Sequence, residues 1–392
     1  MDIIKVAQDL MRFRSETGNV SEINKVFSYI KSLFADSSAK IELFEQVPSA
    51  PVLFISNSDS QDYDVLVLGH IDVVAAQEEM YIPKIDGNKM YGRGSLDMKS
   101  FAAVALNSME YVLEHNLPIK FGVILSSDEE KGSHGTEAFL AAHTGLKSKI
   151  VLDNDVGGDI SKLIIKCKNP VFVKLTAKGE AAHGSRPWDG IDANELLMQS
   201  IANLRQIYPY YSKNGITPDQ KWIDTMHVAK IKGGEVSNVI SDYCEALCDI
   251  RLIETSSLKQ LEENLKASLV SGVEYQIVSS STPVVMSEDN EYILAYKSLA
   301  EEVLGFPLSF EYEGGATDSR AFAVRGSTVI MHSGSGDGMH ADGEFVDINS
   351  VLQIADIQIK FLEKLLPQQS QNIYQKVGSF FKNITLRKNN AE

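Results

Sequence analysis

The sequence predicts an α/β protein: a mainly parallel sheet with helices on both faces, carrying an inserted α+β domain. Three observations predict it. Apolar runs such as Tyr63–Leu68 and Phe121–Leu125 lack the alternation of a half-solvated strand, as expected of strands buried on both faces. Amphipathic helical stretches separate them, which is the grammar of a parallel sheet. From about Pro170 that grammar changes to strand, helix, strand, strand, helix, strand, the order of a ferredoxin-like sandwich. The expected division is 1–169 and 282–367 for the first domain, 170–281 for the insert and 368–392 for a tail helix.

In chain order, residues 1–15 and 20–35 read as helices, the second keeping Ile23, Val26, Phe27, Ile30, Leu33 and Phe34 at helical spacing. Short strands around 41–44 and 51–55 precede the stronger strand 63–68, which ends in Gly69-His70-Ile71-Asp72. A helix from Phe101 to about His115 follows Tyr91-Gly-Arg-Gly-Ser-Leu-Asp97. The strand 121–125 then delivers Ser126-Ser-Asp-Glu-Glu-Lys-Gly132. A helix near 136–142 leads to the strand 149–152 and Asp153-Asn-Asp155. In the insert the strands are 171–176, 227–231, 243–252 and 273–278, and the helices 192–207 and 257–269. Helices at 290–302 and 349–366 close the first domain. In the tail, Ile373, Val377, Phe380, Phe381 and Ile384 share a helical face that suits docking on the body better than a membrane surface.

With 392 residues, two domains are the default. A net charge of −16 argues against nucleic acid, since a duplex binder needs a basic face. No apolar run approaches the length of a membrane span, and the first residues lack the pattern of a secretory leader. Three cysteines cannot form a disulfide framework, and they suit the reducing cytoplasm. Cys244, Ala246, Cys248 and Ile250 alternate as the buried face of one strand, so these cysteines belong to a core.

Chemistry in open α/β sheets gathers at the C-terminal ends of the strands. There this chain places His70 and Asp72, Asp97, Glu129 and Glu130, Asp153 or Asp155, and His340 in the glycine-rich run 335–344. Two histidines and three or four carboxylates are the donors a dinuclear zinc or cobalt site needs, and a carboxylate can bridge two ions. Asp72 can accept a hydrogen bond from the free ring nitrogen of His70 and fix its tautomer. In an extended segment Glu129 and Glu130 would point in opposite directions, so one can hold a cation while the other faces substrate. Gly92-Arg-Gly94 is no phosphate loop, because Asp97 stands at the third glycine position and no Gly-Lys-Ser/Thr occurs.

Seven segments carry a resemblance to a known family: His70-Ile-Asp72, Gly92 to Lys99, Ser127 to Gly132, Gly179-Glu-Ala-Ala-His-Gly-Ser-Arg-Pro187, Asn238-Val-Ile240, Gly314-Gly-Ala-Thr-Asp318 and His340 to Glu344. In this order they resemble the di-zinc amidohydrolases and exopeptidases that include acetylornithine deacetylase, succinyl-diaminopimelate desuccinylase, aminoacylase and glutamate carboxypeptidase. The resemblance runs from about residue 5 to residue 366. It implies a zinc-exopeptidase-like catalytic domain with an inserted lid and dimerisation domain, and two divalent ions, zinc first and cobalt second. Asp97 would bridge them, with His70 and Asp153 completing one shell and Glu130 and His340 the other; Asp155 is the rival of Asp153. The peptide bond after Asp97 is expected to be cis.

Glu129 would be the general base, taking a proton from a water shared by the ions and passing it to the leaving amine. Asp72 supports His70. His183 would reach a partner subunit's active site and stabilise the oxyanion. Asn238 and Arg251 would hold a substrate carboxylate, with Gly315 and Thr317 also at the substrate. The implied substrates are N-acyl amino acids or short peptides with a free carboxylate, and the implied assembly is a homodimer through 170–281. The alternatives are a dedicated biosynthetic deacylase of the acetylornithine or succinyl-diaminopimelate type and a non-catalytic metal-binding relative, the latter disfavoured because Glu129, Glu130, Asp97, His70 and His340 are all present. Ala316 departs from the hydroxyl residue that desuccinylases carry at this place, which weakens the desuccinylase reading.

Overall fold

The computed structural model describes residues 1–213 and 215–366; the expected tail helix lies outside them. The chain divides into two compact units. One comprises Met1–Ile165, Met286–Glu311 and, among the described residues, 317–366. The other comprises Lys166–Val285 with Tyr312–Ala316.

The first unit is built on one mixed sheet. Its strands run Lys40–Phe44, Val52–Ser56, Phe121–Ser126, Asp62–His70, Lys147–Asp153, Thr328–Met331 and Lys162–Cys167 across the sheet. The four central strands, from Phe121–Ser126 to Thr328–Met331, are parallel, and their neighbours on either side are antiparallel. Val52–Ser56 and Phe121–Ser126 are buried at every position, as their unbroken apolar runs require. Val65, Val67, Val123 and Leu125 pack in one core with the helices Ile3–Met11, Val20–Leu33, Lys99–Glu114 and Ile348–Lys364. On the opposite face Phe54 meets Phe139 of the helix His134–Ala142, ring to ring at 5.8 Å. Helices therefore cover both faces.

The first helix stops at Met11 rather than near residue 15. The segment after it is captured elsewhere: Ser15 donates its hydroxyl to Ile71 O at 2.6 Å, and Val73 N–H donates to Ser15 O at 3.0 Å. A small antiparallel sheet also forms from Gly336–Asp337, Phe345–Asp347, Lys89–Tyr91 and Lys84–Asp86, strands too short to show a period in sequence.

The second unit holds a four-stranded antiparallel sheet in the order Thr225–Gly233, Tyr243–Leu252, Asn169–Lys178, Val273–Ser280. With the helices Ala193–Ile207 and Leu258–Ser268 packed on it, this is the ferredoxin-like arrangement. Cys244 and Cys248 lie in its core and carry no disulfide.

Candidate metal centre

The parallel strands end together. His70 pairs in register with Ser126, and Asp153 with both Leu68 and Met331. The four loops that leave this edge, together with the segment Gly92–Asp97, bring the predicted donors to one place.

His70 is the last residue of its strand and 1% exposed. Its Nδ1 lies 3.0 Å from the backbone carbonyl of Asp72 and 3.4 Å from Asp72 Oδ1. A proton on Nδ1 turns the Nε2 lone pair toward Asp97 Oδ1 at 3.0 Å and Asp155 Oδ2 at 3.8 Å. The carbonyl of Asp72 thus shares with its carboxylate the tautomer-fixing role expected of the side chain. That carboxylate is fully buried and does more: it accepts the Thr17 hydroxyl at 2.7 Å and the N–H groups of Glu129 and Glu130 at 3.2 and 3.4 Å.

Glu129–Lys131 is a single 3-10 turn closed by Gly132 at φ 119°, not an extended segment. The Asp72 carboxylate pins its first two N–H groups, so the turn separates the two acids where strand alternation was expected to. Glu130 Oε2 lies 3.0 Å from His340 Nε2, and its side chain is 6% exposed. His340 sits at the tip of a hairpin at φ 61° and is half-exposed, with Nε2 2.9 Å from Asp97 Oδ2. Asp97 divides its two oxygens between the two histidines, and its bond to Met98 is cis.

Two donor groups result, His70–Asp97–Asp155 and Asp97–Glu130–His340, each with its ligating atoms within 4.8 Å of one another. They share Asp97. The pairing of imidazole with carboxylate in both fits a borderline divalent cation. The electrostatics agree. Burial alone would lower the His70 pKa, but Asp155, Asp72 and Asp97 raise it well above the usual 6.5. Asp97 and Glu130 push His340 up to about 10. Burial, then the charge neighbours Asp97 and Asp153, push Asp155 up to about 7 against the pull of His70. Protons do here what a cation would do: they compensate a cluster of buried carboxylates.

Asp153 and Asp155, left open by the sequence, are placed differently. Asp153 is 2% exposed; its Oδ1 accepts the Asp155 N–H at 2.9 Å and its Oδ2 accepts the Thr317 hydroxyl. Thr317, expected at the substrate, is itself 2% exposed, with its oxygen engaged by Asp153 and Ser319. Glu129 belongs to neither donor group. Burial, followed by the nearby Asp155 charge, raises its pKa well above the carboxylate range.

In the second unit, His183 is exposed and its Nδ1 accepts the Ser185 N–H at 3.2 Å. Asn238 and Gly315 are exposed. Arg251 already gives its fork to Asp249, at 2.7 and 3.0 Å. The sequence reading gave no role to Thr17, Arg93 or Glu344 as single residues. For Arg93 and Glu344 the available signal was a charge set inside each glycine-rich segment; for Thr17 there was none.

Fold and site together define a metal-dependent hydrolase of amide bonds. The description of peptidase family M20/M25/M40 matches residues 66–364, and the chain belongs to that family. It is 27% identical over 316 residues to the succinyl-diaminopimelate desuccinylase of Helicobacter hepaticus, covering 75% of this chain and 78% of that protein. An uncharacterized metallohydrolase of Methanocaldococcus jannaschii is 25% identical over 374 residues, 93% of this chain and 97% of the other. In fold the chain is similar to an M20 family metallo-carboxypeptidase of Sulfolobus solfataricus, with TM-score 0.75 at 16% identity over 92% of this chain and 98% of that one. It is also similar to a dinuclear metal binding M20 peptidase of Bacillus subtilis, with TM-score 0.64 at 14% identity over 92% and 98%.

Proposed function

We propose that the chain hydrolyses the amide bond of N-acyl amino acids or short peptides bearing a free carboxylate, with two divalent ions, zinc before cobalt. The observation that carries this is the pair of donor groups sharing one carboxylate, with Glu129 beside them and in neither. His70, Asp97 and Asp155 would hold one ion, and Asp97, Glu130 and His340 the other, Asp155 replacing Asp153 because Asp153 is turned to Thr317 and backbone. When bound, two such ions supply Lewis acidity that lowers the pKa of water and polarises a carbonyl. Glu129 would take the proton from the attacking water and give it to the departing nitrogen. Asp72 positions His70 and both glutamates of the turn.

In the second unit, acceptance of the Ser185 N–H at Nδ1 leaves the His183 proton on Nε2, the state an oxyanion donor needs. Arg251, aligned by Asp249, would offer its remaining N–H groups to the substrate carboxylate beside Asn238 and Gly315. The outer strand Thr225–Gly233, with Ile231 57% exposed, suits pairing with a second copy of this chain. The three cysteines are buried and form no disulfide, which suits the cytoplasm. A dedicated desuccinylase is the second reading, supported by the relative at 27% identity and weakened by Ala316.

The test is release of free amino acid from a panel of N-acyl amino acids, N-succinyl-diaminopimelate and dipeptides by zinc- or cobalt-loaded protein. Glu129→Gln should lower kcat roughly a hundred- to ten-thousand-fold with metal content unchanged. Turnover of the succinylated substrate alone selects the second reading. Failure on every substrate, or full activity of Glu129→Gln, overturns the proposal.

A further inference from the structure

Glu344 is fully buried and belongs to neither donor group. Its carboxylate accepts Arg93 Nη1 at 2.5 Å and three backbone N–H groups: Gly94 at 3.2 Å, Leu96 at 2.8 Å and Asp97 at 3.1 Å. The peptide unit that carries the shared carboxylate is therefore hung from a side chain on the His340 loop. Other bonds join the same two segments. Gly92 N–H donates to Glu344 O at 3.0 Å, Phe345 pairs with Tyr91, and Arg93 Nη2 reaches Ala341 O at 3.5 Å. Within the loop, Gly338 and Gly343 take φ 78° and 86° on either side of His340, whose own φ is 61°. A chain so turned does not fix the reach of His340 by local preference alone. The Arg93–Glu344 junction and these neighbouring bonds tie its loop to the segment that carries Asp97.

We infer that Glu344 is a positioning residue of the metal centre, which sets the separation of Asp97 and His340 and thereby the affinity of the Asp97–Glu130–His340 site. This rests on the two-ion reading above. The His340 site depends on Glu344 twice, through Asp97 and through His340; the His70 site depends on it once. Loss of the Glu344 charge should therefore unbalance the two sites rather than weaken them alike. Partners at this remove from a metal are worth about 10–100-fold in its affinity.

The experiment is a cobalt titration of the full chain read by visible absorption, with metal content measured after dialysis. The proteins are wild type, His340→Ala, Glu344→Gln and the double variant Arg93→Gln/Glu344→Gln. His340→Ala supplies the spectrum of protein holding only the His70-side ion. Glu344→Gln should keep that ion, bind the other about 10–100-fold more weakly, and match His340→Ala at limiting cobalt. The double variant leaves no buried unpaired charge, so it reads the same effect should Glu344→Gln fail to fold. Two ions bound with wild-type affinity and spectrum in both variants would overturn the inference, as would parallel loss of both ions. A wild type that binds fewer than two ions overturns the two-site reading itself, and this inference with it.

Discussion

Asp153 and Asp155 show what a single residue owes to its distant neighbours. They stand two apart at a strand end, so strand periodicity puts them on one side and cannot choose between them. The structure distinguishes them by their contacts: the Thr317 hydroxyl donates to Asp153, while Asp155 stands in one donor group with His70 and Asp97. The prediction is an asymmetry: Asp155→Asn should leave about one ion per chain in an elemental analysis after dialysis, whereas Asp153→Asn should retain two. That His70, Asp97, Glu130 and His340 would meet was legible because each stands in a short polar run that the predicted topology brings to one edge of the sheet. Thr17 was not, because nothing near it in sequence announces that its hydroxyl serves Asp72. A second prediction concerns His332, 1% exposed, with Nε2 2.8 Å from Ile160 O and Nδ1 3.2 Å from the Tyr296 hydroxyl. Burial lowers its pKa from 6.5 to about 4, so the folded state keeps the ring neutral where the unfolded state binds a proton. The stability it contributes is whole above pH 6.5 and is lost as pH falls toward 4, up to about 3 kcal/mol. Urea unfolding at pH 7 and pH 4.5 should show a smaller acid loss for His332→Gln than for wild type.

Among the elements, strands and helices with a strong period lay within a few residues of their expected bounds, since burial of an apolar face decides them. The acidic turn did not. Three charged residues carry no period, and the pull of the Asp72 carboxylate on two N–H groups makes a 3-10 turn of them. The Asp153-Asn-Asp155 turn is braced from two helices. Ser108 donates to Gln358 Oε1 at 3.0 Å, Gln358 Nε2 donates to Asn154 Oδ1 at 2.7 Å, and Asn154 Nδ2 donates to His332 O at 2.5 Å. Ser108 and Gln358 are fully buried and Asn154 is 2% exposed. Gln358→Leu strands polar groups at both ends and should cost about 1–3 kcal/mol per unsatisfied partner in denaturant unfolding. Ser108→Ala with Gln358→Leu should recover part of that loss.

At the scale of the molecule, the centre concentrates acids in a chain already at net charge −16, and cations that bind only the folded state add to its stability. Removing metal with a chelator should lower the melting temperature by about 5–10 °C, and zinc should restore it. Calorimetry with and without zinc reads this directly. The strand Thr328–Met331 lies between Lys147–Asp153 and Lys162–Cys167, in the interior of the sheet although late in the chain. Protein synthesis delivers it last among the strands of that sheet. Until it arrives, the Lys147–Asp153 strand presents an open edge of the kind that pairs with other chains. A ribosome that stops anywhere before this segment releases a half-built sheet with a hydrophobic seam through its middle, lacking His340. Truncations that remove Thr328–Met331 should therefore be recovered as aggregates rather than as weakened enzymes.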